Sequence, residues 1–138
     1  MSKLVRFGIS IDKDLISKFD RLIREQNYKN RSEAIRDLIR ENLIKKEWCE
    51  GKEVAGAIVV VYDHHKRELV NKLLSVQHDY GNLIVSTQHV HLDHHNCLEV
   101  LTIRGKPKEI EKLAYSIKST KGVKHTQLVA TTTGEEIS

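Results

Sequence analysis

Two histidines and a cysteine, His89, His91 and Cys97, are the side chains of this sequence best placed to do chemistry. They stand in the run His89-Val90-His91-Leu92-Asp93-His94-His95-Asn96-Cys97-Leu98-Glu99. In a strand, residues two apart leave the same face, so the His89 and His91 imidazoles sit about 7 Å apart at the backbone and one ion can reach both. Leu92 to Asn96 reads as a turn, after which Cys97 opens a neighbouring antiparallel strand and brings its sulfur beside the rings. Two imidazoles and a thiolate make a soft, nitrogen-rich set suited to Ni(II), Cu(II) or Zn(II) rather than Mg or Ca. His-x-His alone is common on wet strand faces, and a free cysteine is often a small buried hydrophobe. The case for metal rests on the three together. A fourth ligand is missing locally, and His78, just past a predicted helix, is one that another chain could supply.

The other histidines say less. His94 and His95 read as exposed loop tips, His64 and His65 as the opening of a helix where weak surface metal binding is conceivable, and His125 carries no pattern. All eight histidines nevertheless fall between His64 and His125, which separates this region from what precedes it. Past the polar joint Glu50-Gly51-Lys52-Glu53 the pattern predicts strand (Val54–Tyr62), helix (Asp63–Gln77), strand (Leu83–Leu92), strand (Cys97–Arg104), helix (Pro107–Thr120) and strand (Val123–Ala130). The strands are rich in Val, Ile and Thr, glycines punctuate their ends, and Pro107 suits a first helical turn. This βαββαβ order is that of a ferredoxin-like sandwich, an α+β fold with helices on one face of an antiparallel sheet. We expect it to span residues 51–138.

Residues 1–50 form a different unit. Phe7, Ile9 and Ile11 alternate with Arg6, Gly8 and Ser10, the period of a half-buried strand. Asp12 offers a helix cap ahead of Leu15, Ile16, Phe19, Leu22 and Ile23, which recur at helical spacing. After the turn Asn27-Tyr28-Lys29-Asn30, either Asn30 or Ser32 can cap a second helix striped by Ile35, Leu38, Ile39 and Leu43. A lone strand leaves its backbone donors and acceptors unpaired, so the simplest partner is the same strand of a second chain across a two-fold axis. Arg6, Gly8 and Ser10 would then project together from a two-stranded ribbon that fits the DNA major groove, with Arg6 able to fork onto guanine. Backbone N–H groups near Arg31 and Ser32 suit a phosphate. The same alternation also fits the wet face of a plain dimerisation sheet.

Composition bounds these readings. Residues 1–50 carry 12 basic and 9 acidic side chains, and the whole chain has a net charge of +4, a modest excess that supports nucleic-acid binding only weakly by itself. The N-terminus lacks the apolar run of a signal peptide and no stretch approaches a membrane span, so we expect a cytoplasmic protein without membrane contact. Cys49 and Cys97 are too few for a disulfide framework.

The first 45 residues resemble the ribbon-helix-helix repressors, through the strand, the helix, and the turn and helix start Asn30-Arg31-Ser32-Glu33-Ala34-Ile35-Arg36. Together with Gln77-His78 and the run from His89 to Glu99, nearly the whole chain resembles the nickel-responsive regulators of the NikR family. That resemblance implies a ribbon-helix-helix dimer followed by an ACT-type domain that assembles a homotetramer, a dimer of dimers. It implies one Ni2+ per chain in a square-planar site of His89, His91 and Cys97 closed by His78 of another chain, with Glu99 orienting a ligand histidine. It also implies double-stranded operator DNA as partner, Lys66 and Arg67 approaching its phosphates, a potassium-like ion at Glu33 and Asp37, and repression of nickel uptake when nickel is bound. Gly8 stands where relatives commonly have a polar residue, so less base discrimination is expected there. Many relatives have a histidine run where this chain reads Gln77-His78-Asp79-Tyr80-Gly81, which argues against extra low-affinity sites in that segment. Because Cu(II) outranks Ni(II) in intrinsic affinity, nickel specificity would have to reside in the DNA response.

Three other functions fit the same residues. A metal enzyme would need an open coordination position and a general base, for which only His94 or His95 is near. An amino-acid-responsive regulator would bind its effector in the ACT-type module. A metal store would have no DNA role.

Overall fold

Side-chain caps define the first elements. In the computed structural model, which describes residues 3–138, the Asp12 carboxylate accepts the Asp14 N–H at 2.9 Å and starts α1 (Lys13–Glu25). The helix closes where Asn27 takes a positive φ of 63°, with its N–H and that of Tyr28 returning to the carbonyls of Arg24 and Ile23. Asn, with its short polar side chain, is one of the few residues that adopts this conformation at low cost. Of the two expected caps for α2 (Arg31–Glu50), Asn30 does the capping, accepting the Glu33 N–H at 2.9 Å. The helix ends at Gly51, whose φ is +73°.

The chain divides into two compact units, one ending at Glu41 and one beginning at Asn42. In the first, only Ile23 and Ala34 are buried hydrophobics among the described residues, while Leu4, Val5, Phe7 and Ile9 lie exposed on an extended segment without strand pairing inside this chain. Its helices are tied by Arg31, whose guanidinium forks onto both Asp20 oxygens at 2.8 Å.

The second unit is a four-stranded antiparallel sheet in the order β2-β3-β1-β4. Its strands are β1 (Val54–Asp63), β2 (Ile84–His91), β3 (Asn96–Gly105) and β4 (Val123–Thr131), and its helices are α3 (Arg67–Asp79) and α4 (Pro107–Lys118). Burial alternates along β1 and most of β3 as a one-sided sheet requires. Val54, Ile58, Val60 and Tyr62 of β1 and Cys97, Leu101 and Ile103 of β3 pack with Leu69 and Leu73 of α3 and Ile110, Leu113 and Ile117 of α4. The βαββαβ order is the expected one. One boundary differs: α3 begins at Arg67 rather than Asp63. Asp63 completes β1, and its carboxylate and carbonyl take the N–H groups of His65 and Lys66, forming a turn before the helix.

The centre of the sheet has no room to spare at Gly56. A Cβ there would lie 2.6 Å from the Val129 carbonyl oxygen of β4, a backbone atom held by the ladder. We expect Gly56→Ala to cost about 1–3 kcal/mol and lower the melting temperature by several degrees at fixed protein concentration. An unchanged calorimetric transition would mean that β1 and β4 can part there without penalty.

Candidate metal centre

Register builds the site. Between β2 and β3, His91 pairs with Cys97 and His89 with Glu99, and between β1 and β3, Tyr62 pairs with Cys97. Directly opposed residues share a face, so Cys97 has His91 on one flank and Tyr62 on the other. The next row holds His89 beside Glu99. The hairpin joining β2 to β3 is fixed by Asp93, whose carboxylate accepts from the backbone N–H groups of His95 and Asn96 at 2.8 Å and from the Asn96 side chain. These hydrogen bonds, that of the Asn96 side chain foremost, lower the Asp93 pKa to about 2. Lys124 of β4 donates to the Asn96 side chain and ties the hairpin to the far edge of the sheet.

Cys97 is fully buried. Its sulfur lies 3.5 Å from His91 Nδ1 and 3.2 Å from His64 Nδ1, and one donor atom from each of the three residues falls within 4.8 Å of the others. His64 arrives because β1 ends beside Cys97 and the His64 N–H donates to the His95 carbonyl at 3.1 Å, stapling the turn after β1 to the hairpin. Burial, and then the negative charge of Glu99, push the Cys97 thiol pKa up. Desolvation and the neighbouring His65 and His91 rings push that of His64 down. Both groups are therefore held neutral without a cation, and a cation would favour the thiolate.

His89 is oriented from behind. Glu99, 6% exposed, accepts from the Tyr62 hydroxyl at 2.9 Å and from Gln77 Nε2 at 2.9 Å. The Tyr62 oxygen in turn lies 3.2 Å from His89 Nδ1. Tyr62 has one hydroxyl proton, and Glu99, as a carboxylate, can only accept it. The Tyr62 oxygen is then the acceptor for His89 Nδ1–H, which leaves the Nε2 lone pair as the atom His89 offers a metal. Burial, and then Glu99, raise the Tyr62 pKa well above that of a free phenol, so the hydroxyl keeps its proton. The His89 and His91 ring centroids are 5.2 Å apart.

Not every expected residue joins this cluster: His89 stands opposite Glu99 in the next row, outside the group formed by His64, His91 and Cys97. His78 lies in the last turn of α3 rather than beyond it, and is exposed. Lys66 stands at the N-cap position of α3 without a side-chain capping hydrogen bond, and Arg67 is the first residue of the helix; both are exposed, as are Arg6, Gly8 and Ser10 of the N-terminal segment and Arg31 and Ser32 at the start of α2. Asp37 accepts from the Tyr28 hydroxyl at 2.7 Å and from Arg40 at 3.1 Å, and Glu33 is half-buried. His64, read from the sequence as a solvent-facing helix opener, stands instead beside the thiol. The only signal for it was register: a strand ending near Tyr62 beside one beginning at Cys97.

The family described as NikR C terminal nickel binding domain matches residues 55–131, and Ribbon-helix-helix protein, copG family, matches residues 5–46. Relatives described as candidate nickel-responsive regulators match over nearly their full length. One from Chlorobium limicola is 61% identical, covering 97% of this chain and 100% of the relative. Another from Syntrophus aciditrophicus is 55% identical, covering 98% of each. A third, from Pyrococcus furiosus, is 55% identical, covering 97% of this chain and 98% of the relative. They are regulators by name, which sets the enzyme reading aside. Among solved structures, an uncharacterized protein of Thermotoga maritima is similar in fold, with a TM-score of 0.53 at 11% identity, covering 57% of this chain and 98% of that one. A ribbon-helix-helix segment joined to a nickel-binding domain, with full-length relatives above half identity, places this chain in the NikR family of nickel-responsive regulators.

Proposed function

We propose that the chain is a DNA-binding repressor of nickel uptake whose hold on operator DNA depends on nickel at His89, His91 and Cys97, with His78 supplied by another chain. The observation that carries this reading is the buried Cys97 thiol with His91 Nδ1 at 3.5 Å, next to His89, whose Nε2 is left free by Tyr62 and Glu99. A soft sulfur and several imidazoles fit nickel by donor chemistry. When bound, the ion supplies a cationic centre that holds the sulfur as thiolate and draws ligands from two chains together.

The rest of the reading follows from charge and exposure. The extended segment from Leu4 to Ile9 lies along α2 residues Ser32, Ile35, Arg36 and Ile39, lining an apolar groove suited to the same segment of a second chain. The paired strands would present Arg6, Gly8 and Ser10 to base edges, while the backbone at Arg31 and Ser32 and the side chains of Lys66 and Arg67 take phosphates. Gln77, which donates to Glu99, immediately precedes His78, so the end of α3 is anchored to the carboxylate that orients His89. Ligation of His78 to a partner's site would couple metal occupancy to a homotetramer and to the placement of α3. A potassium-like ion at Glu33 and Asp37 would have to compete with Tyr28 and Arg40 for the Asp37 oxygens. Among the described residues no helix is long and apolar enough to cross a membrane.

The decisive experiment is a mobility-shift titration on selected DNA pools with nickel, copper, zinc or chelator, beside Cys97→Ala. Nickel should raise DNA affinity at least tenfold over chelator, and Cys97→Ala should abolish that gain. Retention indifferent to both metal and Cys97 would sink the proposal. Removing the hydroxyl in Tyr62→Phe leaves Glu99 with one donor fewer and frees the His89 ring. It should cost about 1–3 kcal/mol in stability and about 10–100-fold in nickel affinity, read against a competing chelator. Unchanged affinity would show that the ring needs no support from behind.

The closeness of His64 to Cys97 supports a second occupancy, in which His64, His91 and Cys97 of a single chain hold zinc without help from a partner. His64→Ala should then weaken zinc binding and spare nickel, whereas His89→Ala should weaken nickel. Equal losses for both metals in both variants would refute this division.

A further inference from the structure

α2 is one helix from Arg31 to Glu50, yet the boundary between the two units falls inside it, after Glu41. Residues 42–50 therefore belong with the sheet. Ile44, Glu47 and Trp48, at helical spacing, form the face of this stretch that is withdrawn from solvent. Trp48 packs against the hydrophobic core, and its indole N–H donates to the Thr131 carbonyl at 2.8 Å. The residues after β4 close over the same face. The Thr132 hydroxyl donates to Glu47 Oε1 at 3.4 Å and accepts the Gly134 N–H at 3.1 Å, where Gly134 takes a φ of +86° in a bend of the chain. Glu136 then meets Lys52 at 3.1 Å, and Glu135 meets Arg104 at 3.4 Å. We propose that residues 131–137 and the end of α2 form a releasable clasp. Closed, it fixes the helix whose other end carries Ser32, Ile35, Arg36 and Ile39 of the N-terminal groove, and so carries the nickel response to the DNA-reading segment.

The clasp is built to be marginal. Glu47 is 9% exposed, and among the described residues its Oε2 has no hydrogen-bond partner. A carboxylate oxygen withdrawn from water without a donor works against the closed state. Beside it lies a cavity of about 110 Å³ lined by Leu43, Lys46, Glu47, Glu50, Glu136 and Ile137, where packing contacts are forgone. The ion pairs of Glu135 and Glu136 are exposed on both sides and contribute little. Trp48 is therefore the anchor, and the charge of Glu47 opposes it.

The clasp is also separate from the metal ligands. Thr131 pairs with Ala55 near the start of β1, whereas Tyr62, beside Cys97, lies near its end. The intervening strand spans roughly 23 Å at about 3.3 Å per residue. Opening the clasp thus leaves the cluster at Cys97 intact and removes only its link to α2. A ligand shifts such an equilibrium only by its differential affinity for the two states, so the clasp acts on the response to nickel and not on the binding of nickel.

The effect on DNA rests on the DNA-binding reading above, and the test separates the two. Hydrogen–deuterium exchange of residues 42–50 in the full chain is read by mass spectrometry, beside mobility shifts with nickel or chelator. Trp48→Phe keeps an aromatic ring and drops the N–H, and should speed exchange about three- to tenfold, the weight of one hydrogen bond. Deletion of residues 133–138 should speed it too, so the outcome does not depend on how Phe repacks. Glu47→Gln, which keeps the shape without the charge, should slow it. Both loosening variants should cut the nickel-driven gain in DNA affinity by about threefold or more and leave nickel affinity, measured against a competing chelator, unchanged. Exchange unaltered in the loosening variants, or not slowed in Glu47→Gln, would overturn the clasp. Exchange altered as expected beside an intact DNA response would overturn its part in coupling. Wild type that holds DNA equally with nickel and chelator would sink the DNA-binding reading, and the exchange rates alone would then decide the clasp.

Discussion

Every part of the site depends on the pairing of His91 with Cys97 across β2 and β3. Side chains alternate along a strand, so a slip of one residue would move Cys97 from the helix-covered face to the other and put Leu98 beside the imidazole. The protein resists that slip at both ends of β3. At one end Asp93 gathers the hairpin backbone, and along the rest Leu101 and Ile103 are fully buried under the helices. The hydrophobic core thus does more than stabilise the sheet. It sets which atoms meet at the sulfur.

Glu99 is the second constraint. A carboxylate removed from water is costly unless its lone pairs are filled, and here they are filled from two elements, by Tyr62 on β1 and Gln77 on α3. This arrangement makes the carboxylate a junction: one side reaches the His89 ring through Tyr62, the other the last turn of α3 through Gln77. Moving either side exposes a buried charge to the loss of a partner, so the two move together or not at all.

Much of this was legible in the sequence, because it rests on local signals. Caps at Asp12 and Asn30, Pro107 at a helix start, and the alternation of β1 and β3 follow from side-chain chemistry within a few residues, and the βαββαβ order follows from them. His89, His91 and Cys97 were legible because a short hairpin makes their neighbourhood local too. Two features were not. The start of α3 was set too early, since Asp63-His64-His65 has no apolar residue to mark where a strand period gives way to a helical one. His64 and Tyr62 reach the site through the pairing of β1 with β3, residues more than thirty positions apart, and no local pattern encodes which strands become neighbours.

The exposed apolar row of the extended N-terminal segment has a consequence for the chain as a population. With Ile23 and Ala34 as the buried hydrophobics of its first unit among the described residues, that unit has little to hold it folded in isolation, and covering Leu4, Val5, Phe7 and Ile9 with a second copy is what would complete it. Its folded fraction then obeys mass action and rises with the number of copies present. Gene dosage would in that case act on the structure itself, since halving the supply of chains lowers the share of them that have a finished reading head.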